Sequence, residues 1–529
     1  MKLATSSLIP QIDRYAAEHL GIPVRDLMDR SGEAVAKVVF ERVPKGRTVL
    51  IFAGVGNNGG DGYATATKLM DDYDVTVFGM FKEGPKTEES RYFRDFFLSR
   101  GGKVEEYEAS DRLTERIHNA GCVIDAIFGT GFHGEIPESV KPLARAIHSA
   151  VNTRKIAIDV PLGINADDGS VLDDAATYVG VTVCLSMIKT GLVSYPAKGY
   201  VGEIVFDDLG LPWDDIYQAF DIPDHLIEKV FVKLHLPKRP KNSNKGSFGK
   251  LLVITGSEKY RGAAALSLEA ALRSGAGYTT YLGTESLVRE LTAKYPEAIY
   301  EVRPANEAMT EEDIRAAVEL SAKQTATLIG CGSDNSKDLF RLVKALLLSE
   351  GGTLILDADA INSLTWDLED GLSALKSAKR PVVLTPHPLE FARIAGESVS
   401  DVQLHRIERA KSFASEYNCT LVLKGAGTIV TDGTELFINH TGSSALAKAG
   451  SGDVLAGVIS SLIAMGTRPL DAASLAAYFH GLAADHLAEE FSSFGVIPSD
   501  LPPQIAREIA RIENDNSTAA HTLDRSYED

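Results

Sequence analysis

Asp453 follows Ala449-Gly450-Ser451-Gly452 and heads the apolar run Val454–Ser460. A carboxylate at that point can take a proton from an attacking hydroxyl. The N–H groups of Gly450, Ser451 and Gly452, at the positive end of a helix, can hold the charge of a transferring phosphoryl group. The competing reading makes Asp453 an N-cap, a role that does not need two flanking glycines. Three other segments end β-branched runs with reactive residue types. Lys424, Gly425, Ala426, Gly427 and Thr428 form KGAGT, which reads either as a cradle for nucleotide phosphates or ribose, or as a hairpin turn with a solvated lysine. TPHPLEF places His387 and Glu390 at another run's end, and DADAIN adds Asp357 and Asn362 at a third, as caps or as ligands.

The first half carries its own Gly-rich turn, GVGNNGGDGY (Gly54–Tyr63), after a β-branched run. Glycines let an anion approach the main chain, and a helix start points N–H groups at it. Gly54–Gly59 also satisfies GxGxxG, a weak dinucleotide signal by itself. DAIFGTGFHGE (Asp125–Glu135) and IDVPLGINADDG (Ile158–Gly169) end two further strands, the second with the acid Asp159. Ligands of open parallel sheets bind at such carboxyl ends, so one shared pocket is expected. Asn58 and Asp125 offer hard oxygens suited to a monovalent or other hard cation.

Short buried strands alternate with amphipathic helices through both halves, the pattern of parallel α/β. Strands are expected over Thr48–Gly54, Asp74–Met80, Cys122–Gly129, Lys155–Pro161 and Val181–Met187. The second half restarts at Gly249–Ser257 and continues with Ala326–Gly332, Gly352–Ala360, Pro381–Pro388, Thr420–Val430 and Glu435–Thr441. Helices are expected over Gly62–Met70, Glu88–Ser99 and Asp453–Met465, with a helical segment Leu8–Val43 before the first strand. At 529 residues the chain exceeds a single core. Residues 1–215 form one expected domain, 216–243 a Pro- and Lys-rich linker, 244–512 a second domain and 513–529 a polar tail.

The net charge of −19 argues against nonspecific nucleic-acid binding. Cys122, Cys184, Cys331 and Cys419 lie far apart with no CxxC pair, so they read as buried free thiols. No apolar run approaches bilayer length, and the first residues lack the apolar core of a signal peptide, which leaves the cytoplasm as the expected location and no membrane partner.

LMDRSG (Leu27–Gly32), NNGGDG, DAIFGTG and IDVPLG together resemble the NAD(P)H-hydrate epimerase family, the YjeF N-terminal domain, over about the first 210 residues. NKGSFGKLLVITGS, IGCGSD, DADAIN, LTPHPLEFARI, VLKGAGTIV and AGSGDVLAG resemble the ADP- or ATP-dependent NAD(P)H-hydrate dehydratases of the ribokinase-like superfamily, from about Asn244 to Ala510. The resemblance implies an N-terminal Rossmann-like three-layer parallel sheet and a C-terminal ribokinase-like α/β sheet. It implies that Asn57, Asn58, Gly59, Gly60 and Asp61, with Gly129, Thr130, Gly131, Phe132, His133, Gly134 and Glu135, hold the epimerase substrate. Asp159 would touch the reacting end, and Asn58 and Asp125 would ligate potassium. In the second domain Asp453 would be the catalytic base, and Gly332 and His387 would contact the hydrate. Lys424–Thr428 with Gly450, Ser451 and Gly452 would bind ADP or ATP with Mg²⁺. The implied activity is repair of both epimers of NAD(P)HX by a homo-oligomer. Three positions depart from the family pattern: Leu162 replaces Ser, Leu389 replaces Gly and Ala449 replaces Gly. A ribokinase-like kinase for a vitamin precursor would share AGSGD but leave NNGGDG and IDVPLG unexplained.

Overall fold

The structure, a computed structural model, describes residues 1–132, 134–172, 176–303 and 309–515. The chain divides into two compact units, one spanning Lys2–Asp224 and the other beginning at His225.

The first unit is built on a seven-stranded parallel sheet. Its order is Lys103–Glu106, Asp74–Gly79, Thr48–Ala53, Cys122–Ala126, Arg154–Ile158, Val181–Leu185, Glu203–Asp207. Along Thr48–Ala53 the side chains alternate between two cores: Val49, Ile51 and Ala53 join one, Leu50 and Phe52 the other. A strand buried on both faces reads as a continuous apolar run, which is why it was visible from sequence. The outer strands Lys103–Glu106 and Glu203–Asp207 were not expected. Lys103–Glu106 is a largely exposed, charged edge, and Glu203–Asp207 is a half-buried edge whose apolar run, Ile204–Phe206, is only three residues long between two acids.

Helix Val24–Arg42 packs on helix Asn57–Leu69 so closely that a Cβ on Gly32 would lie 2.7 Å from the Cβ of Ala64. NNGGDG is the opening of that second helix rather than a loop before it: the helix starts at Asn57, not Gly62. A Cβ on Gly59 would come within 2.1 Å of the Gly54 carbonyl oxygen, so the turn into the helix admits only glycine there.

The second unit's sheet runs in the order Leu436–Ile438, Ile429–Thr431, Thr420–Leu423, Val382–Leu384, Thr353–Leu356, Ala326–Ile329, Lys250–Ile254, Tyr278–Thr284, Ile299–Arg303. Pairing is parallel from Thr420–Leu423 onward and antiparallel before it. The expected single strand Thr420–Val430 is therefore two strands joined by KGAGT. Gly425 and Gly427 take φ values of 139° and 64°, which reverse the chain. Helix Ser451–Ala464 is buried over most of its length and crosses helix Arg261–Arg273, where a Cβ on Gly457 would lie 2.4 Å from the Ser267 carbonyl oxygen. It begins at Ser451, two residues before its expected start. Within 216–243, helix Lys229–His235 forms and buries Val232. Among the described residues, no helix is long and apolar enough to cross a membrane.

Candidate functional site

Four adjacent parallel strands of the second unit end beside one another, and each hands a polar side chain to the same space. Cys331 lies just beyond Ala326–Ile329, Asp357 follows Thr353–Leu356, Thr385 follows Val382–Leu384, and Lys424 follows Thr420–Leu423. Lys424 Nζ donates to Asp357 Oδ1 at 2.9 Å, and the Thr385 hydroxyl donates to the same oxygen at 2.6 Å. The Cys331 thiol donates to Asp357 Oδ2 at 3.3 Å. Sulfur and carboxylate oxygens of Cys331, Asp357 and Asp453 all fall within 4.8 Å of one another.

Asp453 therefore faces a second carboxylate in a site largely closed to water. Its pKa is pushed up to about 7, mainly by burial, then by the charge of Asp357, with Lys424 pulling the other way. Burial works against the charge of Lys424, but Asp357 and Glu390 outweigh it and hold the ammonium above its ordinary value. Lys424 is thus a half-buried, paired cation and not the solvated turn lysine that a hairpin alone would carry. A Cβ on Gly452 would lie 3.2 Å from Lys424 Nζ, which brings the AGSGD turn and KGAGT together.

Gly450 sits at φ 103° just before the helix that starts at Ser451. The Ser451 hydroxyl is buried and has no hydrogen-bond partner among the described residues. Beside it lies buried His480, whose pKa burial pushes down to about 4, so the ring is neutral at physiological pH.

His387 caps helix Pro388–Ala395. Its Nδ1 accepts from the N–H groups of Leu389 and Glu390 at 3.2 and 3.3 Å, and Glu390 returns a carboxylate to the His387 N–H at 2.8 Å. This capping box occupies one ring nitrogen; Nε2 remains, 3.3 Å from Glu390 Oε1. Burial, then Lys424, lowers the pKa of His387. Leu389 is exposed. Gly332 has φ 57°, and a Cβ there would strike Ala263 and Tyr260 at 2.7 Å. Asn362 accepts from Arg393 at 2.9 Å, a structural link.

In the first unit the strands ending at Ala53, Ala126, Ile158 and Leu185 are neighbours, and their ends converge in the same way. Asn58 Nδ2 donates to the Phe128 carbonyl at 2.7 Å, while Asn58 Oδ1 is buried without a partner among the described residues. Asp125 is buried and accepts from Leu162 N at 2.9 Å and from Thr177 Oγ1 at 2.8 Å. Burial raises its pKa, and these donors partly offset the rise. The contact at Leu162 is made by main chain, so the family's serine hydroxyl is not needed for it. Gly129 packs on Asn58, and Phe132 stacks on Phe128 with centroids 4.0 Å apart. Gly131, Gly134 and Glu135 are exposed. His133 lies outside the described residues.

Asp159 adopts a left-handed φ of 66°, an uncommon conformation for a non-glycine residue and one often found at functional sites. Its carboxylate pairs with Lys189, which is wholly buried and also donates to the Leu185 carbonyl at 2.8 Å. Asp13, from helix Ile9–His19, has its pKa raised to about 6 by burial, with Lys189 lowering and Asp159 raising it. Asp61 is pushed well above the carboxylate range by burial, then by Asp159 and Asp13, against a hydrogen bond from Ser31. Sequence reasoning missed Lys189 and Asp13 here, and Cys331 and Thr385 in the second unit.

Residues 251–508 match the sequence family described as NAD(P)H-hydrate dehydratase, and residues 24–191 match that described as YjeF-related protein N-terminus. The chain is similar to the bifunctional NAD(P)H-hydrate repair enzyme of Moorella thermoacetica, 32% identical over 518 residues and 95% of each chain. It is 32% identical to that of Escherichia coli over 495 residues, 92% of this chain and 90% of the other. Among solved structures, the ADP/ATP-dependent NAD(P)H-hydrate dehydratase from Bacillus subtilis, co-crystallized with ATP and Mg²⁺, is 30% identical, covering 54% of this chain and 98% of its own, with a TM-score of 0.47. Likeness of this extent to the full-length relatives, through both units, establishes that the chain belongs to the bifunctional NAD(P)H-hydrate repair enzyme family.

Proposed function

We propose that the first unit interconverts the R and S epimers of hydrated NAD(P)H and that the second dehydrates the S epimer at the expense of ADP or ATP. The observation that carries this reading is Asp453: a carboxyl group whose pKa burial raises to about 7, at the first turn of a buried helix, beside the ion pair of half-buried Lys424 with buried Asp357. A general base works best when its pKa lies near the operating pH.

Hydrated NAD(P)H bears a hydroxyl on the ring carbon next to nitrogen, and hydroxide is a poor leaving group. Asp453 takes the hydroxyl proton as the oxygen attacks the terminal phosphoryl group of the nucleotide. The N–H groups of Gly450, Ser451 and Gly452 hold the transferring group. Phosphate then leaves, the neighbouring carbon loses a proton, and the ring double bond returns. The products are NAD(P)H, phosphate and AMP or ADP. Lys424–Thr428 bind the nucleotide, with Gly332 and the half-exposed ring of His387 against the hydrate. When bound, Mg²⁺ would supply charge neutralisation for the nucleotide phosphates. The oxygens of Asp357 suit it, whereas the soft Cys331 thiol does not.

Asp159 serves the first unit as acid and base. Entering the cycle protonated, it gives that proton to the hydroxyl, which departs as water, and the carboxylate so formed is the one Lys189 pairs; after water adds to the ring iminium on the other face, the carboxylate takes the proton back. Lys189 keeps it oriented. Asn57–Asp61 and Gly129–Glu135 hold the substrate. Potassium fits at Asn58 and Asp125: a buried amide oxygen without a partner and a buried carboxylate are the hard donors that a weakly hydrated cation takes. It would supply a fixed positive charge in that pocket. We further propose that the chain works in the cytoplasm as a homo-oligomer; its four buried free thiols agree with a reducing compartment.

Incubation with mixed NADHX epimers, Mg²⁺ and ADP or ATP tests the reading. Full return of the NADH absorbance with one phosphate released per NADH is expected. A stable phosphorylated product without NADH would favour a small-molecule kinase instead.

A further inference from the structure

Arg406 opens helix Arg406–Tyr417 and is among the largest fully buried side chains, only 2% exposed. Its fork holds neutral groups: NH1 donates to Gln403 Oε1 at 2.7 Å, and NH2 to the carbonyls of Leu423 and Lys424 at 3.1 and 3.3 Å. Nε has no partner among the described residues. None of these partners bears a charge, and burial lowers the pKa of Arg406 to about 10 without making it neutral. Burying an unpaired cation is costly unless something compensates it.

Burial alone is not the argument, because Arg380 is also buried on neutral partners, Gly352 O and Ser321 Oγ. Arg380 lies just before Val382–Leu384, at the amino end of the parallel strands, away from the site. Arg406 lies at the opposite end, directly under KGAGT. A Cβ on Gly425 would stand 3.1 Å from Arg406 NH1, and Gly425 takes φ 139°, so the turn rests on the guanidinium with only glycine between. Gly425 and Ala426 are exposed on the other side.

We propose that Arg406 is a positioning residue for the nucleotide: it fixes the KGAGT turn through two carbonyls and places an unmatched positive charge behind it for the polyphosphate. This rests on the reading of Lys424–Thr428 as the nucleotide loop. The charge would be compensated only when the anion is bound. An arginine fork suits this because it grips two carbonyls while keeping its charge, which lysine reproduces only in part.

The test is steady-state dehydration of NADHX by wild-type, Arg406→Lys and Arg406→Met enzyme, with nucleotide and hydrate varied separately. The expected result is a nucleotide KM raised about tenfold or more in Arg406→Met, equivalent to about 1.4 kcal/mol. Arg406→Lys should restore part of it, with kcat and hydrate KM little changed. A nucleotide KM equal to wild type, with only melting temperature and kcat reduced, overturns the proposal and leaves Arg406 a packing residue. Should Arg406→Met fail to fold, Arg406→Lys gives the same reading through its thermal stabilisation by ADP–Mg²⁺. Wild-type enzyme indifferent to nucleotide overturns the loop reading and this proposal together; wild-type dependence with unaltered variants overturns this proposal alone.

Discussion

Lys424 and Asp357 stand two strands apart in the sheet and meet at 2.9 Å, with Thr385 from the intervening strand donating to the same Asp357 oxygen at 2.6 Å. Three neighbouring strand ends are thus tied at one buried atom. The pair settles the local charge: it leaves Asp453 facing an anion already partly neutralised, so that its carboxyl group is raised in pKa but still able to ionise.

Replacing Lys424 by Met removes one side of that pair and leaves Asp357 buried and unmatched. Breaking a buried ion pair by losing one partner costs about 3–5 kcal/mol. Urea unfolding of Lys424→Met should show a loss in that range in the second unit's transition, while Lys424→Met/Asp357→Leu should recover part of it.

Asp453→Asn keeps the shape and loses the proposed base. Dehydration should fall by about a hundredfold to ten-thousandfold, the usual worth of a positioned general base. Nucleotide binding, measured by calorimetry, and epimer interconversion by the first unit should persist. Full dehydratase activity in this variant would remove Asp453 from the chemistry.

The raised pKa of Asp453 sets two pH effects of opposite sense. As the proposed base it must be ionised, so kcat/KM for dehydration should fall about tenfold per pH unit below about 7. For stability the sign is reversed. The fold holds this proton more tightly than the unfolded chain, so the contribution is full below about pH 4 and is lost as pH rises through about 7. Asp453→Asn should therefore gain melting temperature over wild type at pH 8 relative to pH 5.

Asp159→Asn should stop epimerisation while dehydration of the S epimer continues, so that a mixed substrate leaves the R share behind. Lys189→Met should also slow epimerisation and destabilise the first unit, because Asp159 then loses its buried counter-ion. Chromatographic separation of the epimers reads both variants. Rapid R-to-S exchange in Asp159→Asn would show that another group carries the proton.

The elements that place these residues were legible where burial made them so. Thr48–Ala53 and Thr353–Leu356 are buried on both faces and read as apolar runs, whereas the charged edge Lys103–Glu106 has no such signature. KGAGT reads as a nucleotide cradle or a hairpin turn, and the structure makes it the reversal into Ile429–Thr431; that the strand stops at Leu423 rather than running to Val430 depends on the conformations of Gly425 and Gly427, which composition alone does not specify. Asp159 and Asp453 stand in distinctive local strings. Their partners do not: Lys189 lies 30 residues beyond Asp159, and Asp13 comes from a helix ahead of the first sheet strand, so only folding reveals that they share one electrostatic field. The weak signals available were a lysine directly after Met187-Ile188 in SMIKTGL and an acid after Ile12 in IPQIDRY.

The position of the phosphate chain tests the central claim most directly. In a crystal structure with Mg²⁺ and a non-hydrolysable ATP analogue, the terminal phosphate should lie within hydrogen-bond reach of the N–H groups of Gly450–Gly452, beside the Asp453 carboxylate, with the rest of the nucleotide along Lys424–Thr428. A phosphate chain bound away from that turn would contradict the account of the second unit and leave only the first unit's chemistry standing.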